Sequence, residues 1–233
     1  TLLKAMDAPA QGHFIGPAVI RVSGIEALER EVFGPILHVA TFRADQIDAV
    51  VDAVNNSGFG LTFGMHTRID GRVEQVTSRL KVGNAYVNRN QIGAIVGSQP
   101  FGGEGLSGTG PKAGGPSYVP RFLRSDVMDH AGQAGKPADV GAVQTRLDQL
   151  KGLELARLSV TDLPGPTGES NRLSTYGRGI VLCLGPTAAD ATEQVRIARD
   201  NGCHALAVAP GVSPALGIDG VLPRGALEHM RGF

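Results

Sequence analysis

The sequence predicts an α/β protein in two parts, each built on a mostly parallel sheet with helices packed on it. Three observations carry this. Strand-like and helix-like stretches alternate from about residue 36 to 88, a second strand-helix-strand unit opens at residue 180, and the two are separated by glycine-rich and proline-rich sequence. With 233 residues, 42% of them apolar and 19% charged, the chain can bury a core of ordinary size.

The first elements are β-rich but interrupted. Residues 13–22 (HFIGPAVIRV) are broken by Gly16-Pro17, and Ile25 to Glu29 reads as a short helical or turn stretch. Residues 36–42 (ILHVATF) form a strand. From Asp45 to Asn55, Ile47, Val50, Val51 and Val54 recur at helical spacing, with Asp45 available as an N-cap and Asn-Ser-Gly as the stop. A strand over LTFGMHT follows, then a helix from Gly71 to Leu80 with Val73, Val76 and Leu80 on one face, then a strand over VGNAYVN.

From 91 to 115 glycine dominates and periodicity disappears, which predicts a long irregular loop. The apolar stretch YVPRFL, within 117–126, suits a strand. Residues 129–140 read as a linker, 143–158 as a helix, and 163–179 as a turn-rich connection. The second α/β unit then comprises IVLCLG, a helix from Ala188 to Asn201, and HALAVAPG. The resulting divisions are 1–125, a connecting segment with a helix over 126–176, and 177–233. The last has the form of a Rossmann-like domain cut short, because a βαβ opening needs more strands than remain.

Charge excludes some functions. Acidic and basic residues balance at 22 each without a basic run, so nothing favours nucleic acid. No apolar run reaches the roughly 20 residues of a membrane span, and no signal peptide opens the chain, which leads to the expectation of a cytoplasmic protein. Cys183 and Cys203 lie in apolar runs and read as small buried hydrophobes with free thiols. The six histidines show no metal-ligand spacing, so no metal is expected.

Glycine motifs need context. Gly103-Glu104-Gly105-Leu106-Ser107-Gly108 matches G-x-G-x-x-G, but Pro111 and Gly114-Gly115-Pro116 forbid the helix that must follow a dinucleotide fingerprint. Gly105 to Lys112 approaches a phosphate loop, yet Pro111 precedes the lysine and Ala113 replaces the hydroxyl that would bind magnesium. Leu184-Gly185-Pro186 reads as a plain strand-to-helix turn.

The stretches GHFIGPAVI, EVFGPILHV, NNSGFGLTFGMHT, VGNAYVN and QPFGGEGLSGTG, in this order and spacing, resemble the aldehyde dehydrogenase superfamily over residues 10 to 122. Residues 88–97 (NRNQIGAIVG) running into QPFGG resemble the glutamate semialdehyde (1-pyrroline-5-carboxylate) dehydrogenases. GPKAGGP, LPGPTGESN and GRGIVLCLGP are similar to the tail of the bifunctional proline utilization A family. This resemblance implies that residues 1–125 are the C-terminal part of an aldehyde dehydrogenase catalytic domain, with a substrate-anchoring loop at 91–115.

The implied chemistry is attack of a cysteine thiolate on the aldehyde, hydride transfer to NAD, and hydrolysis of the thioester. The nucleophile, the water-activating glutamate and the NAD fold precede E-x-F-G-P in the family, so no catalytic residue is expected here and the chain alone is expected to be an inactive fragment. FAD would belong only to a proline dehydrogenase domain further upstream. By the same resemblance Glu31 accepts hydrogen bonds from the nicotinamide-ribose hydroxyls and Phe33 packs near the nicotinamide. Gly93 and Ala94 anchor the substrate α-carboxylate, Phe101 covers its aliphatic chain, and the full-length protein is a homo-oligomer. From pattern alone Glu31 would be a solvated glutamate, Phe33 and Phe101 core aromatics, and Gly93-Ala94 a turn. A dehydrogenase for another aldehyde, a non-catalytic assembly module, and a phosphate-binding protein using residues 103–112 stand as alternatives.

Overall fold

A computed structural model describes residues 1–123 and 135–233. The chain divides into two compact units, Thr1–Leu123 and Arg124–Phe233.

The first unit contains β1 (Leu2–Ala5), β2 (Ala18–Arg21), β3 (Ile36–Val39), α1 (Ile47–Asn56), β4 (Phe59–Gly60), β5 (Thr62–Met65), α2 (Asp70–Thr77), β6 (Asn84–Val87) and β7 (Glu104–Gly105). The sheet β1-β2-β3 is antiparallel on one side and parallel on the other. Strands β5 and β6 pair in parallel around α2, the right arrangement for a strand-helix-strand crossover, whereas β4 and β7 pair antiparallel. The helix expected from Asp45 is present, but Asp45 does not cap it. Its carboxylate is engaged by the Arg43 guanidinium at 2.9 and 3.0 Å, and a 3-10 turn over Ala44–Gln46 leads into α1. One face of each helix is pinned to the other: Arg79, just beyond α2, reaches Asp48 and Asp52 of α1 at 2.5 and 2.7 Å.

The YVPRFL stretch is not a strand. Val119–Phe122 is a 3-10 helix with Pro120 in its first turn, where the missing N–H costs nothing, and Tyr118 and Phe122 meet edge-on with ring centroids 5.6 Å apart. The first half of the expected linker, residues 129–134, lies outside the described residues.

The second unit contains α3 (Val140–Leu150), β8 (Arg157–Leu163), β9 (Asn171–Tyr176), β10 (Ile180–Cys183), α4 (Ala188–Asp200), β11 (His204–Ala209), β12 (Gly217–Asp219) and α5 (Arg224–Leu227). Strands β10, β11 and β12 form a parallel sheet. Ala191, Val195 and Ala198 of α4 pack on one face of it with Cys183, Ala205, Ala207 and Ala209. Val143 and Leu147 of α3 pack with Leu206, Val208 and Leu222 in a second cluster. The period-2 alternation of β11 thus feeds two layers, and the helix expected in the connecting segment is a core element of this unit.

Two expectations fail here. The helix expected to reach 158 ends at Leu150, where Lys151 turns extended and Gly152 follows at φ +79°. The connection expected at 163–179 is instead half of an antiparallel hairpin, β8 with β9, paired from Arg157↔Tyr176 to Leu163↔Asn171. Cys183 and Cys203 are free thiols, the first buried and the second partly so. Among the described residues no helix is long and apolar enough to cross a membrane.

Candidate functional site

Loop 91–115 follows β6, and side chains of that strand organise it. Asn84 uses both ends of its amide: Nδ2 donates to the Pro100 carbonyl at 2.8 Å, and Oδ1 accepts from the Gly102 N–H at 3.1 Å. Phe101 is therefore held between two fixed peptides. It forms an antiparallel bridge with Ala113, exchanging N–H···O bonds of 3.0 and 2.8 Å, so the loop folds back on itself. The ring of Phe101 is partly buried.

Lys112 closes the base of this fold. Its ammonium donates to the Gly102 carbonyl at 2.9 Å and to the Gly83 carbonyl, with Asn84 Oδ1 at 3.4 Å. Burial pushes its pKa below the ordinary lysine value, with the charge of Glu104 opposing that shift. A lysine spent on backbone carbonyls is not a phosphate ligand. The G-x-G-x-x-G run likewise lies in β7 and a tight turn, where Ser107 and Gly108 N–H groups bond to the Glu104 and Gly105 carbonyls at 3.1 and 3.0 Å. Gly83 must be glycine for a packing reason, since a Cβ there would overlap the Gly102 carbonyl oxygen.

Gly93 and Ala94 lie at the exposed outer part of the loop. Gly93 takes φ +89°, which L-residues with side chains rarely adopt. Its carbonyl accepts a 2.9 Å hydrogen bond from the Tyr86 hydroxyl, which comes from within the fold, Tyr86 being 6% exposed. The Arg89 guanidinium lies 5.5 Å from the Tyr86 ring centroid. Burial raises the Tyr86 pKa, only partly offset by the Arg89 charge, so the phenol stays a donor.

Glu31 and Phe33 lie in the irregular segment leading into β3, both exposed, Phe33 at 89%. No hydrogen bond or ring contact joins either to loop 91–115 among the described residues. Phe33 is therefore not a core aromatic of this chain. The ring offers an uncovered apolar face, and the carboxylate, with no donor among the described residues, has unspent acceptors.

Among the described residues no group of three or more His, Cys, Asp or Glu could hold a metal ion. In the second unit, burial pushes the Cys183 thiol pKa up, and a shallow cleft of about 360 Å³ is lined by Arg199, Cys203 and His204 among others. The N-terminus of α4 is closed by its own residues. Thr187 Oγ1 accepts from the Asp190 N–H, and the Asp190 carboxylate accepts from the Thr187 N–H, both at 3.2 Å.

The profile of the Aldehyde dehydrogenase family matches residues 3–127. The bifunctional protein PutA of Klebsiella aerogenes is 44% identical over 221 residues, covering 84% of this chain and 17% of that protein. The 1-pyrroline-5-carboxylate dehydrogenase 1 of Halalkalibacterium halodurans is 44% identical over 119 residues, covering 50% of this chain and 23% of that protein. A crystal structure of a Bradyrhizobium japonicum proline utilization A variant superposes with a TM-score of 0.51 at 52% identity, covering 52% of this chain and 12% of that one. The chain thus spans only a small part of these relatives. An alignment covering 84% of the chain must run well into the second unit, so that unit too has its counterpart in the bifunctional relative. With its first unit matched almost throughout, this chain belongs to the aldehyde dehydrogenase family.

Proposed function

We propose that this chain is part of an NAD-dependent enzyme that oxidises L-glutamate γ-semialdehyde to L-glutamate in proline catabolism. The observation that carries the reading is the Gly93-Ala94 segment. Its N–H groups have no acceptor among the described residues and stand at an exposed surface, on a loop otherwise pinned by Asn84, Lys112 and Tyr86. Backbone donors without a side chain in the way suit a carboxylate, and a fixed loop binds it without first having to be ordered. The names of the relatives support the same substrate class.

In this reading Gly93 and Ala94 hold the substrate α-carboxylate and Phe101 covers the chain between carboxylate and aldehyde. Glu31 accepts from the ribose hydroxyls and Phe33 lies against the nicotinamide end. NAD, when bound, accepts the hydride lost by the aldehyde carbon. All five residues position and none moves a proton. The second unit is a reduced Rossmann-like domain, its parallel sheet retained and its helix N-terminus self-capped by Thr187 and Asp190 rather than open to phosphate.

The test is NAD reduction by this chain and by a version extended upstream in the native reading frame. Activity with L-glutamate γ-semialdehyde in the extended protein alone is the expected result. Equal or better turnover of aldehydes lacking an α-carboxylate would reject the substrate assignment.

A further inference from the structure

We infer that Tyr86 is a positioning residue for substrate specificity: its hydroxyl fixes the Gly93-Ala94 peptide so that the Ala94 N–H faces outward, ready for a carboxylate. The inference rests on the proposed function and deepens it. Gly93 C=O and Ala94 N–H belong to one trans peptide, so they point in opposite directions. The carbonyl is turned toward the buried Tyr86 hydroxyl at 2.9 Å, and the Ala94 N–H is therefore turned away from it. That N–H has no acceptor among the described residues.

The loop backbone holds this orientation on one side of the peptide only. Gly93 has no Cβ and sits at φ +89°, so rotation on its side of the peptide is cheap, and within the loop backbone a flip is opposed by Ala94, which it would drive to positive φ. A flipped peptide would present a carbonyl oxygen to the substrate carboxylate, replacing attraction by repulsion. The nearest other restraints are local: the Ile92 N–H bonds to Asn90 Oδ1 at 3.1 Å, and the Ile95 carbonyl accepts from the Gln99 N–H at 2.7 Å. Neither touches the 93–94 peptide. Tyr86 can hold it because its ring is itself held. It projects from β6, whose parallel partner at that register is Gly64 of β5, and the Arg89 guanidinium lies 5.5 Å from the ring centroid.

The variant is Tyr86→Phe in the longer protein that carries this chain, assayed with L-glutamate γ-semialdehyde and with propanal, which has no carboxylate. Loss of the hydroxyl should raise KM for the semialdehyde about tenfold, with kcat nearly unchanged and propanal turnover within about twofold of wild type. Product L-glutamate should also raise the melting temperature of the wild type more than that of the variant. Equal losses on both aldehydes would show a merely structural role and overturn the inference, as would unchanged KM for the semialdehyde. A wild-type enzyme that does not prefer the semialdehyde to propanal is a different failure. It would remove the proposed function, and this inference with it.

Discussion

At the residue scale the loop depends on polar side chains that bond to its backbone. Lys112→Met would leave the Gly83 and Gly102 carbonyls without their shared donor, costing about 1 kcal/mol because the site is only partly buried and water can enter. The pH dependence has a definite sign. The folded pKa of Lys112 is depressed below 10.5, so between the two values the unfolded chain holds more protons and stability rises with pH. The burial cost is therefore felt in full at neutral pH and relieved as pH climbs toward 10.5. Urea unfolding of wild type and Lys112→Met from pH 7 to 10.5 should show the gap widening in favour of wild type, and a gap that narrows would contradict the assigned burial. Neither this role nor that of Tyr86 is legible in sequence. Lys112 stands out there only as a broken phosphate-loop lysine, and the link from Tyr86 to Gly93 joins a strand to a loop, for which no spacing rule exists. Gly93, Ala94, Glu31 and Phe33 are visible only through family resemblance, since by pattern each has a commonplace reading.

At the element scale, periodicity locates what buries one face. Helix α1 is announced by Ile47, Val50, Val51 and Val54, and α4 by the apolar strands on either side of it. What the sequence hides is structure that buries little. Strand β8 is exposed along all but its last residue, so the hairpin β8-β9 lacks the alternation of a half-buried strand, and its glycines and prolines dominate the reading. Pro120 similarly turns an apolar run into a 3-10 helix. Capping contributes where packing is modest. Thr187→Ala removes the acceptor for the Asp190 N–H and the hydroxyl that donates to the Asp190 carboxylate at 2.6 Å. The cost should be about 1 kcal/mol. In a unit of roughly 100 residues that lowers the transition temperature by about 4–8 °C. Circular dichroism of the variant would show it, and an unchanged transition would mean that α4 is held by its buried face alone.

At the scale of the whole chain the two units are unequally provided with core. Among the described residues of the second, two clusters enclose Val143, Leu147, Val195, Leu206 and Val208. The first buries only Val51, Val76, Tyr86 and Pro100 among its described apolar side chains, while Phe33, Ile92 and Val96 are 89%, 82% and 85% exposed. Buried apolar area is the main force opposing chain entropy, so similar lengths with unequal cores imply unequal stabilities. Acidic and basic residues cancel, and no net charge keeps exposed apolar surface from associating. Heating or urea should therefore unfold the isolated chain in two steps, the first unit leading. The first step should coincide with binding of a hydrophobic dye, and limited proteolysis should leave a resistant fragment from the second unit. One coincident transition by fluorescence and circular dichroism, without a resistant fragment, would show that the first unit draws stability from a source other than its own core.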